Sequence, residues 1–263
     1  MIEMNSEITK LNASDLSKAI HSKAFSCVEV MKAYLARIAD VNPTYNAIIS
    51  LRSESELLSE AKAHDDLLAA GNSKGWLHGI PQAIKDLSPT AGIATVYGSP
   101  LMTGNIPTED GLMVQRMKAA GAIIIGKTNV PEFGLGSHSF NTVFGVTKNA
   151  FDVTKTAGGS SGGAAVALAT HMLPVADGSD FMGSLRNPAG WNNVFGMRPS
   201  QGRVPMWPAT EVWLSPMGTE GPMGRTVEDV ARLMATQAGF DSRCPISISE
   251  SFDLNHALKP MQA

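Results

Sequence analysis

The chain passes from a loop into a helix at one short stretch, Gly158-Gly159-Ser160-Ser161-Gly162-Gly163, which continues as Ala164-Ala165-Val166-Ala167-Leu168. Four glycines and two serines at a helix start let backbone amides and hydroxyls point at one small group, because the first helical amides have no partner within the helix. The stretch therefore predicts an ordered nest for an anion or a carbonyl group. The alternative is a flexible Gly/Ser linker, and the helix that begins there argues against it.

The same stretch contains a second motif, G-x-S-x-G over residues 159–163, which is typical of the nucleophile elbow of Ser-His-Asp hydrolases. An elbow requires a strand leading into the turn, whereas residues 152–157 are only partly strand-like. The six histidines include no evident catalytic base and have no metal-ligand spacing: His21, His64, His78, His138, His171 and His256. Ser161 as a nucleophile is therefore the weaker alternative.

Helix and strand patterns alternate on both sides of this stretch. Short apolar segments at 80–84 and 122–125 lie between turn signals and predict strands. Periodicity and capping residues predict helices over about 26–42 (ended by Asn42-Pro43), 55–70, 111–120, 163–170 and 226–239. This alternation predicts an α/β fold, a mixed β-sheet core covered by helices, in a single domain over residues 1–263.

Residues 121–128 match the phosphate-loop expression G-x-x-x-x-G-K-T letter for letter. A phosphate loop follows a strand and opens a helix. Here the interior is three consecutive isoleucines, which favour a strand. We therefore predict a buried strand and a turn at these residues, and no nucleotide site.

Two further segments add reactive side chains. Ser184 follows Ser160 by 24 residues, in a turn-rich segment over 177–190. Lys85 ends an apolar strand, and side-chain alternation sends Lys85 and Asp86 to opposite faces. Lowering the pKa of a lysine from about 10.4 towards 7 costs roughly 4 to 5 kcal/mol, which desolvation can supply. A buried Lys85 would then be a neutral amine able to act as a base for a serine.

These segments together resemble the amidase signature family over about residues 16–240. Five segments match: the lysine segment 79–86, residues 126–129 before Glu132-Phe133, the Gly/Ser stretch 158–163, and residues 180–189 and 218–225. The resemblance implies the amidase signature fold. Family members usually continue well beyond this length, so the chain is expected to be the N-terminal part of a longer fold, with some apolar surface and a sheet edge exposed.

The resemblance also implies roles for individual residues. Ser184 corresponds to the nucleophile, Ser160 to a bridging serine at a cis peptide, and Lys85 to the base that draws the proton through Ser160. Asp180 and Arg186 flank the nucleophile and are expected to brace its loop by ionic and hydrogen bonds. The family uses no metal and no cofactor.

The expected substrate-binding residues are Gly134, Phe181, Met182 and Gly183. Backbone amides of residues 181–184 would form the oxyanion hole, and the loop around Gly134 would line the pocket. The family commonly has glycine at the position of Met182, so the pocket here is expected to be narrower or more apolar.

Composition excludes several classes of function. With 21 basic and 24 acidic residues the net charge is −3, and only 17% of residues are charged, so no footprint for nucleic acid or an anionic membrane is visible. Two distant cysteines exclude a disulfide scaffold and favour a reducing compartment, the cytoplasm. No signal peptide or membrane-spanning stretch is evident. The expected partner is a small amide, with a homodimer left open.

The leading hypothesis is a cytoplasmic amide hydrolase that releases ammonia or an amine from a small carboxamide. Two alternatives remain: the glutamine-hydrolysing component of a tRNA-dependent amidotransferase, and an inactive truncated fragment. Residues 191–200 look more like stand-alone bacterial amidases, which favours the first hypothesis. The sequence does not identify the amide.

Overall fold

Short strands form the centre of the computed structural model, which describes residues 7–209 and 217–259. In chain order they are β1 (Ile48–Ile49), β2 (Pro81–Lys85), β3 (Ile123–Thr128), β4 (Phe140–Asn141), β5 (Gly145–Val146), β6 (Val175–Asp180), β7 (Phe195–Gly196) and β8 (Thr219–Gly224). Strand β3 pairs antiparallel with β1 and parallel with β2. Strand β8 lies between β6 and β7, antiparallel to both, and β4 pairs with β5. The sheet of β1, β2 and β3 is therefore mixed, as expected, whereas the pairs of β4 with β5 and of β8 with β6 and β7 are antiparallel.

Helices flank these strands. They are α1 (Ala13–His21), α2 (Cys27–Tyr45), α3 (Glu54–Ala69), α4 (Leu112–Ala119), α5 (Gly162–Ala169), α6 (Arg186–Trp191), α7 (Val227–Gln237) and α8 (Leu254–Ala257), with 3₁₀ turns at Pro100–Met102 and Glu132–Gly134. Ser26 and Glu29 form a capping box at the start of α2, where the sequence predicts a helix, and Thr226 accepts from the Asp229 amide at the start of α7. The mixed α/β class predicted from the sequence is confirmed. No helix in the described ranges is long and apolar enough to cross a membrane.

Helix α2 corrects one expected boundary, because it continues through Pro43 to Tyr45. A proline removes one amide donor and crowds the preceding turn, which usually ends a helix. Here the turn around Pro43 is held by hydrogen bonds to both the backbone and the side chain of Asn42. The Asn46 amide donates to Asn42 O at 2.7 Å, and the Asn42 side-chain oxygen accepts from the Ala47 and Ile48 amides at 2.9 Å. The left-handed residue Asn46 (φ 51°) then ends the helix.

Strand β3 carries the residues that match the phosphate-loop expression. All of its side chains are buried, and Lys127 donates to Ser88 O at 2.6 Å and lies 2.9 Å from Thr90 Oγ1. The lysine is therefore bonded within the core. The predicted buried strand is confirmed.

Side chains join the two larger sheets where β2 lies beside β6. Both carboxylate oxygens of Asp177 accept from the Lys85 amide, at 3.1 and 3.3 Å. The Gln82 amide, in the orientation that satisfies both of its ends, donates to Val175 O at 3.0 Å and accepts from the Asp177 amide at 3.3 Å. These contacts hold the lysine-bearing strand against the strand that leads to Ser184.

Helix α5 lies at the centre of the core. Its residues are small or aliphatic on every side, which is typical of a helix that is buried all round. It packs against β3 and β6. The Gly/Ser stretch at its start is thereby brought beside both the end of β2 and the end of β6.

Candidate active site

Lys85 is fully buried at the end of β2, and its amine is surrounded by three oxygen atoms. Lys85 Nζ lies 2.8 Å from Ser160 Oγ, 2.9 Å from Ser179 Oγ and 3.1 Å from Ser179 O. A neutral amine has two N–H donors and one lone pair, so it can donate to the carbonyl and one hydroxyl and accept from the other hydroxyl. The geometry suits an amine that takes a proton from a serine.

Burial also sets the charge of this amine. It lowers the pKa of Lys85 to about 7, although the negative charges of Asp177, Asp180 and Glu220 act in the opposite direction. Desolvation dominates because a charged amine loses its hydration when it is buried. A large share of Lys85 is therefore neutral near pH 7.

Ser160 is held in the turn before α5. The Gly159–Ser160 peptide is cis, as the resemblance implies, and Ser160 is buried. A Cβ atom at Gly159 would lie 2.9 Å from the backbone nitrogen of His138, so the close approach of the two backbones requires glycine here. The glycines of this stretch therefore allow the chain to bring Ser160 Oγ to Lys85.

Ser161, the alternative nucleophile, is fully buried and is bonded to β6. Its hydroxyl accepts from the Ser179 amide and lies 3.3 Å from Ser179 O. Bonded on both sides to the backbone of a strand, this hydroxyl has a structural role. The geometry therefore disfavours the elbow alternative.

Ser184 lies beside the Ser160 turn, in the loop between β6 and α6. Its carbonyl accepts from the Ser161 amide at 3.2 Å, and its side chain is partly accessible. The hydrogen bonds within the described ranges link Ser184 to the turn through its backbone. A proton path from Ser184 Oγ to Ser160 Oγ stays a prediction.

Asp180 braces the loop that carries Ser184, as predicted. Its carboxylate accepts from the Gly183 amide at 2.7 Å, the Leu185 amide at 3.1 Å and Arg186 Nε at 3.0 Å, and Arg198 Nε lies 3.3 Å away. Burial tends to raise the pKa of Asp180, but the Arg186 side chain and the two amides lower it to about 2. The brace is therefore ionised at any pH near neutrality.

The expected substrate-binding residues of this loop, Phe181, Met182 and Gly183, differ in their exposure and hydrogen bonding. The Gly183 amide donates to Asp180 at 2.7 Å, and its expected role in an oxyanion hole stays a prediction. Gly183 has φ 118°, and a Cβ atom there would lie 2.8 Å from Asn187 Nδ2. Phe181 and Met182 are exposed, and the backbone of Met182 lies outside the left-handed region.

Gly134 lies beside the segment that follows the lysine strand. It belongs to the 3₁₀ turn Glu132–Gly134 and has φ 71°. A Cβ atom at Gly134 would lie 2.5 Å from Leu87 Cδ1, so this loop packs directly on the segment that follows Lys85. Its neighbour Phe133 is exposed and lies stacked near Tyr97, with 6.4 Å between the ring centroids.

Three polar residues around Lys85 were not predicted from the sequence: Ser179, Asp177 and Glu220. Residues 177–190 have the composition of turns, whereas residues 175–180 form β6. The weak strand propensity of Asp-Gly-Ser-Asp is overridden by pairing with β8 along its whole length. In a strand, residues 177 and 179 share a face, and this alternation is the signal that could have placed both beside the lysine.

No group of three or more His, Cys, Asp and Glu side chains within 7–209 and 217–259 is arranged to hold a metal ion. The groups that surround the Lys85 amine are hydroxyl and backbone groups of the chain. Their arrangement can transfer a proton from a hydroxyl to an amine, which is the chemistry needed to activate a serine.

Comparison with known proteins gives the site a family context. The family model described as Amidase matches residues 29–260. A glutamyl-tRNA(Gln) amidotransferase subunit from Ectopseudomonas mendocina is 38% identical over 244 residues, 93% of this chain and 50% of the relative. The protein of the same name from Acidothermus cellulolyticus is 40% identical over 243 residues, 92% of this chain and 48% of the relative. The chain spans about half the length of these curated relatives.

Solved structures share the fold. A bacterial aryl acylamidase of the amidase signature enzymes superposes with a TM-score of 0.87 at 33% identity, covering 92% of this chain and 50% of that one. The native peptide amidase from Stenotrophomonas maltophilia superposes with a TM-score of 0.82 at 31% identity, covering 97% and 51%. With a family match over most of its length and the fold of solved amidases, this chain belongs to the amidase signature family.

Proposed function

We propose that the chain carries the catalytic centre of an amide hydrolase, with Ser184 as nucleophile, Ser160 as proton relay and Lys85 as base. The observation that supports the proposal is the buried amine of Lys85 at 2.8 Å from Ser160 Oγ. The substrate class is a small carboxamide. The two cysteines, both free and buried, fit a reducing compartment, and we place the enzyme in the cytoplasm.

In this mechanism Ser184 Oγ forms a bond to the amide carbonyl carbon while its proton moves to Ser160 and the Ser160 proton moves to Lys85. The negative charge that develops on the carbonyl oxygen needs backbone donors. The amides of residues 181–184 are the candidates, and the Gly183 amide would exchange its bond to Asp180 for one to the carbonyl oxygen. The C–N bond then breaks as Lys85 returns the proton through Ser160 to the departing amine, and water repeats the cycle on the acyl-enzyme.

Covalent labelling tests the nucleophile. A fluorophosphonate probe is expected to modify the folded chain at Ser184, as located by mass spectrometry, and Ser184→Ala should abolish the label. Ser161→Ala is the matched control and should retain it. A label found on Ser161 in the wild-type chain would support the elbow mechanism and contradict the proposal.

A second candidate function is glutamine hydrolysis within a tRNA-dependent amidotransferase, because curated relatives that are 36–40% identical are named as components of glutamyl-tRNA(Gln) amidotransferase. The resemblance of residues 191–200 to stand-alone amidases and the solved amidases of the same fold favour the first candidate. Glutaminase assays of the chain alone and with added amidotransferase partner proteins separate the two. Glutaminase activity that appears only with the partners would favour the second.

A further inference from the structure

Asp177 is a fully buried carboxylate that contacts the strand carrying the proposed base. We propose that Asp177 is a positioning residue for Lys85, which fixes the end of β2 and supplies the negative charge that stabilises the ammonium Lys85 becomes when it takes the Ser160 proton. The inference rests on the proposed function of Lys85. It adds the buried carboxylate of Asp177 to the three proposed catalytic residues, Ser184, Ser160 and Lys85.

One face of strand β6 lies against Lys85. Asp177 and Ser179 are two residues apart in β6 and so share a face. Asp177 accepts from the Lys85 backbone amide, while Ser179 contacts the Lys85 amine through its hydroxyl and its carbonyl. Strand β6 thus fixes both ends of the lysine residue, and neither contact depends on a bound substrate.

Among the described residues, three carboxylates influence the amine, and two of them are engaged elsewhere. Asp180, at the end of β6, is paired with Arg186 and Arg198. Glu220, on β8, lies 2.5 Å from Ser88 Oγ, and burial raises its pKa to about 7, so that much of it is protonated at neutral pH. These engagements leave Asp177 as the carboxylate whose charge is available to Lys85.

Asp177 itself is ionised in the working range. Burial raises its pKa to about 6, against the Lys85 amide and the positive charge of Lys127 on β3, which lower it. Above about pH 6 Asp177 therefore carries a negative charge, part of which the positive charge of Lys127 offsets. Transfer of the Ser160 proton to Lys85 places a further positive charge near this carboxylate, which favours the transfer in a buried site of low dielectric constant.

A direct titration of Lys85 tests the proposal without any need for catalysis. The chain is produced with ¹³C-labelled lysine, the Lys85 signal is assigned by its loss in Lys85→Met, and its midpoint is measured by NMR as a function of pH. In Asp177→Asn the midpoint should fall by about one pH unit or more, because an opposite charge nearby has been removed. An unchanged midpoint in folded Asp177→Asn would overturn the proposal.

Asp229→Asn is the matched control. Asp229 is also fully buried and also accepts from a backbone amide, that of Ser14 at 2.9 Å, but it lies on α7 and contacts none of the site residues named above. Its substitution should leave the Lys85 midpoint in place. A fall as large as that in Asp177→Asn would show a general effect of losing a buried carboxylate and would also overturn the proposal.

The reciprocal measurement keeps the test decisive if loss of Asp177 prevents folding. Coupling between two sites is mutual, so in Lys85→Met the carboxyl midpoint of Asp177, followed with ¹³C-labelled aspartate, should rise by the same amount. No rise would count against the proposal. Neither titration requires an active enzyme, whereas the fluorophosphonate label reports the nucleophile, so failure of the proposed function is seen separately.

Discussion

A lysine side chain is seldom fully buried, because its amine must either lose its charge or find partners for it. Within residues 7–209 and 217–259 two are buried, Lys85 and Lys127, at neighbouring strand ends. Lys127 is bonded to Ser88 O and Thr90 Oγ1 within the core, and burial lowers its pKa to about 8. Lys85 instead faces two serine hydroxyls, one of which belongs to the turn beside Ser184. The partners of the amine separate a structural lysine from the candidate base.

Replacement of Lys85 should therefore affect chemistry more than folding. We expect Lys85→Met to reduce kcat/KM for a small carboxamide by about 10²- to 10⁴-fold, the usual contribution of a general base. Lys85→Arg should not rescue activity, because a guanidinium stays protonated near neutral pH. Steady-state kinetics give these values, and thermal unfolding checks that each variant is folded. Most of the wild-type activity in a folded Lys85→Met chain would contradict the mechanism.

The sign of the pH dependence follows from the same group. Only the neutral amine can accept a proton, and burial lowers the pKa of Lys85 to about 7. Wild-type kcat/KM should therefore rise with pH through about pH 7 and level off above it. A profile that falls over this range would indicate that a protonated group, and not a neutral amine, is required.

At the scale of single elements, capping residues placed the helices well. The helices predicted to begin near Ser26 and Thr226, and the one predicted to end near residue 70, have these ends within one or two residues of the prediction. Pro43 and β6 could not be placed in this way. The turn around Pro43 is closed by contacts of Asn42 with residues just beyond the helix, which helix periodicity does not predict. Strand β6 is fixed by its pairing with β8, a tertiary contact that overrides its weak local propensity.

The features of the site also divide into those that the sequence predicts and those that depend on tertiary contacts. Lys85, Ser160 and Ser184 could be named because motif spacing and family resemblance identify reactive side chains. The hydrogen bond of the Gly183 amide to Asp180 and the contact of Asp177 with β2 could not, since they depend on tertiary structure. Strand alternation predicts which residues share a face, but not which other strand that face will meet.

The segment between α3 and β2 contains a buried histidine whose ring nitrogens are both bonded. His78 Nδ1 accepts from the Lys74 amide at 3.1 Å, and Nε2 donates to His64 O at 2.9 Å. The ring of His64 is 4.9 Å away between centroids. A second proton on His78 would have to replace the Lys74 contact. Folding therefore favours the neutral ring at the point where the chain enters the lysine strand.

This histidine predicts loss of stability in acid. Burial lowers the pKa of His78 below its usual value near 6.5, so the unfolded chain binds the proton more tightly and stability falls as pH drops below about 6.5. The Tm of the wild-type chain should decrease from pH 7 to pH 5, and less steeply in His78→Gln. His256→Gln, at an exposed histidine, is the control and should follow the wild-type slope. Equal slopes in all three chains would show that His78 does not cause the loss of stability in acid.

At the scale of the whole molecule, several large apolar side chains remain in contact with solvent. Phe151, Trp191 and Phe195 are each at least half exposed. Asn149 Nδ2 donates to Trp191 O at 3.0 Å, and the Val194 amide donates to Ala189 O at 3.0 Å, so both neighbouring segments lie against α6. We call these three side chains the Trp191 face. Phe195 belongs to β7, which is the outer strand of its sheet among the described residues. The expected exposed apolar surface is present, whereas exposure of a sheet edge stays a prediction.

Exposed apolar side chains on and beside an outer strand favour self-association. We expect the 263-residue chain to bind a hydrophobic dye such as ANS and to sediment as more than a monomer at micromolar concentration. Phe195→Lys places a charge on the edge strand itself and should reduce both signals. Leu101→Lys, at an apolar residue that is 83% exposed on a separate 3₁₀ turn, is the matched control and should change neither. Analytical ultracentrifugation of the three chains decides between these outcomes. A wild-type chain that stays monomeric and binds no dye would show that the Trp191 face is too small or too well hydrated to drive association.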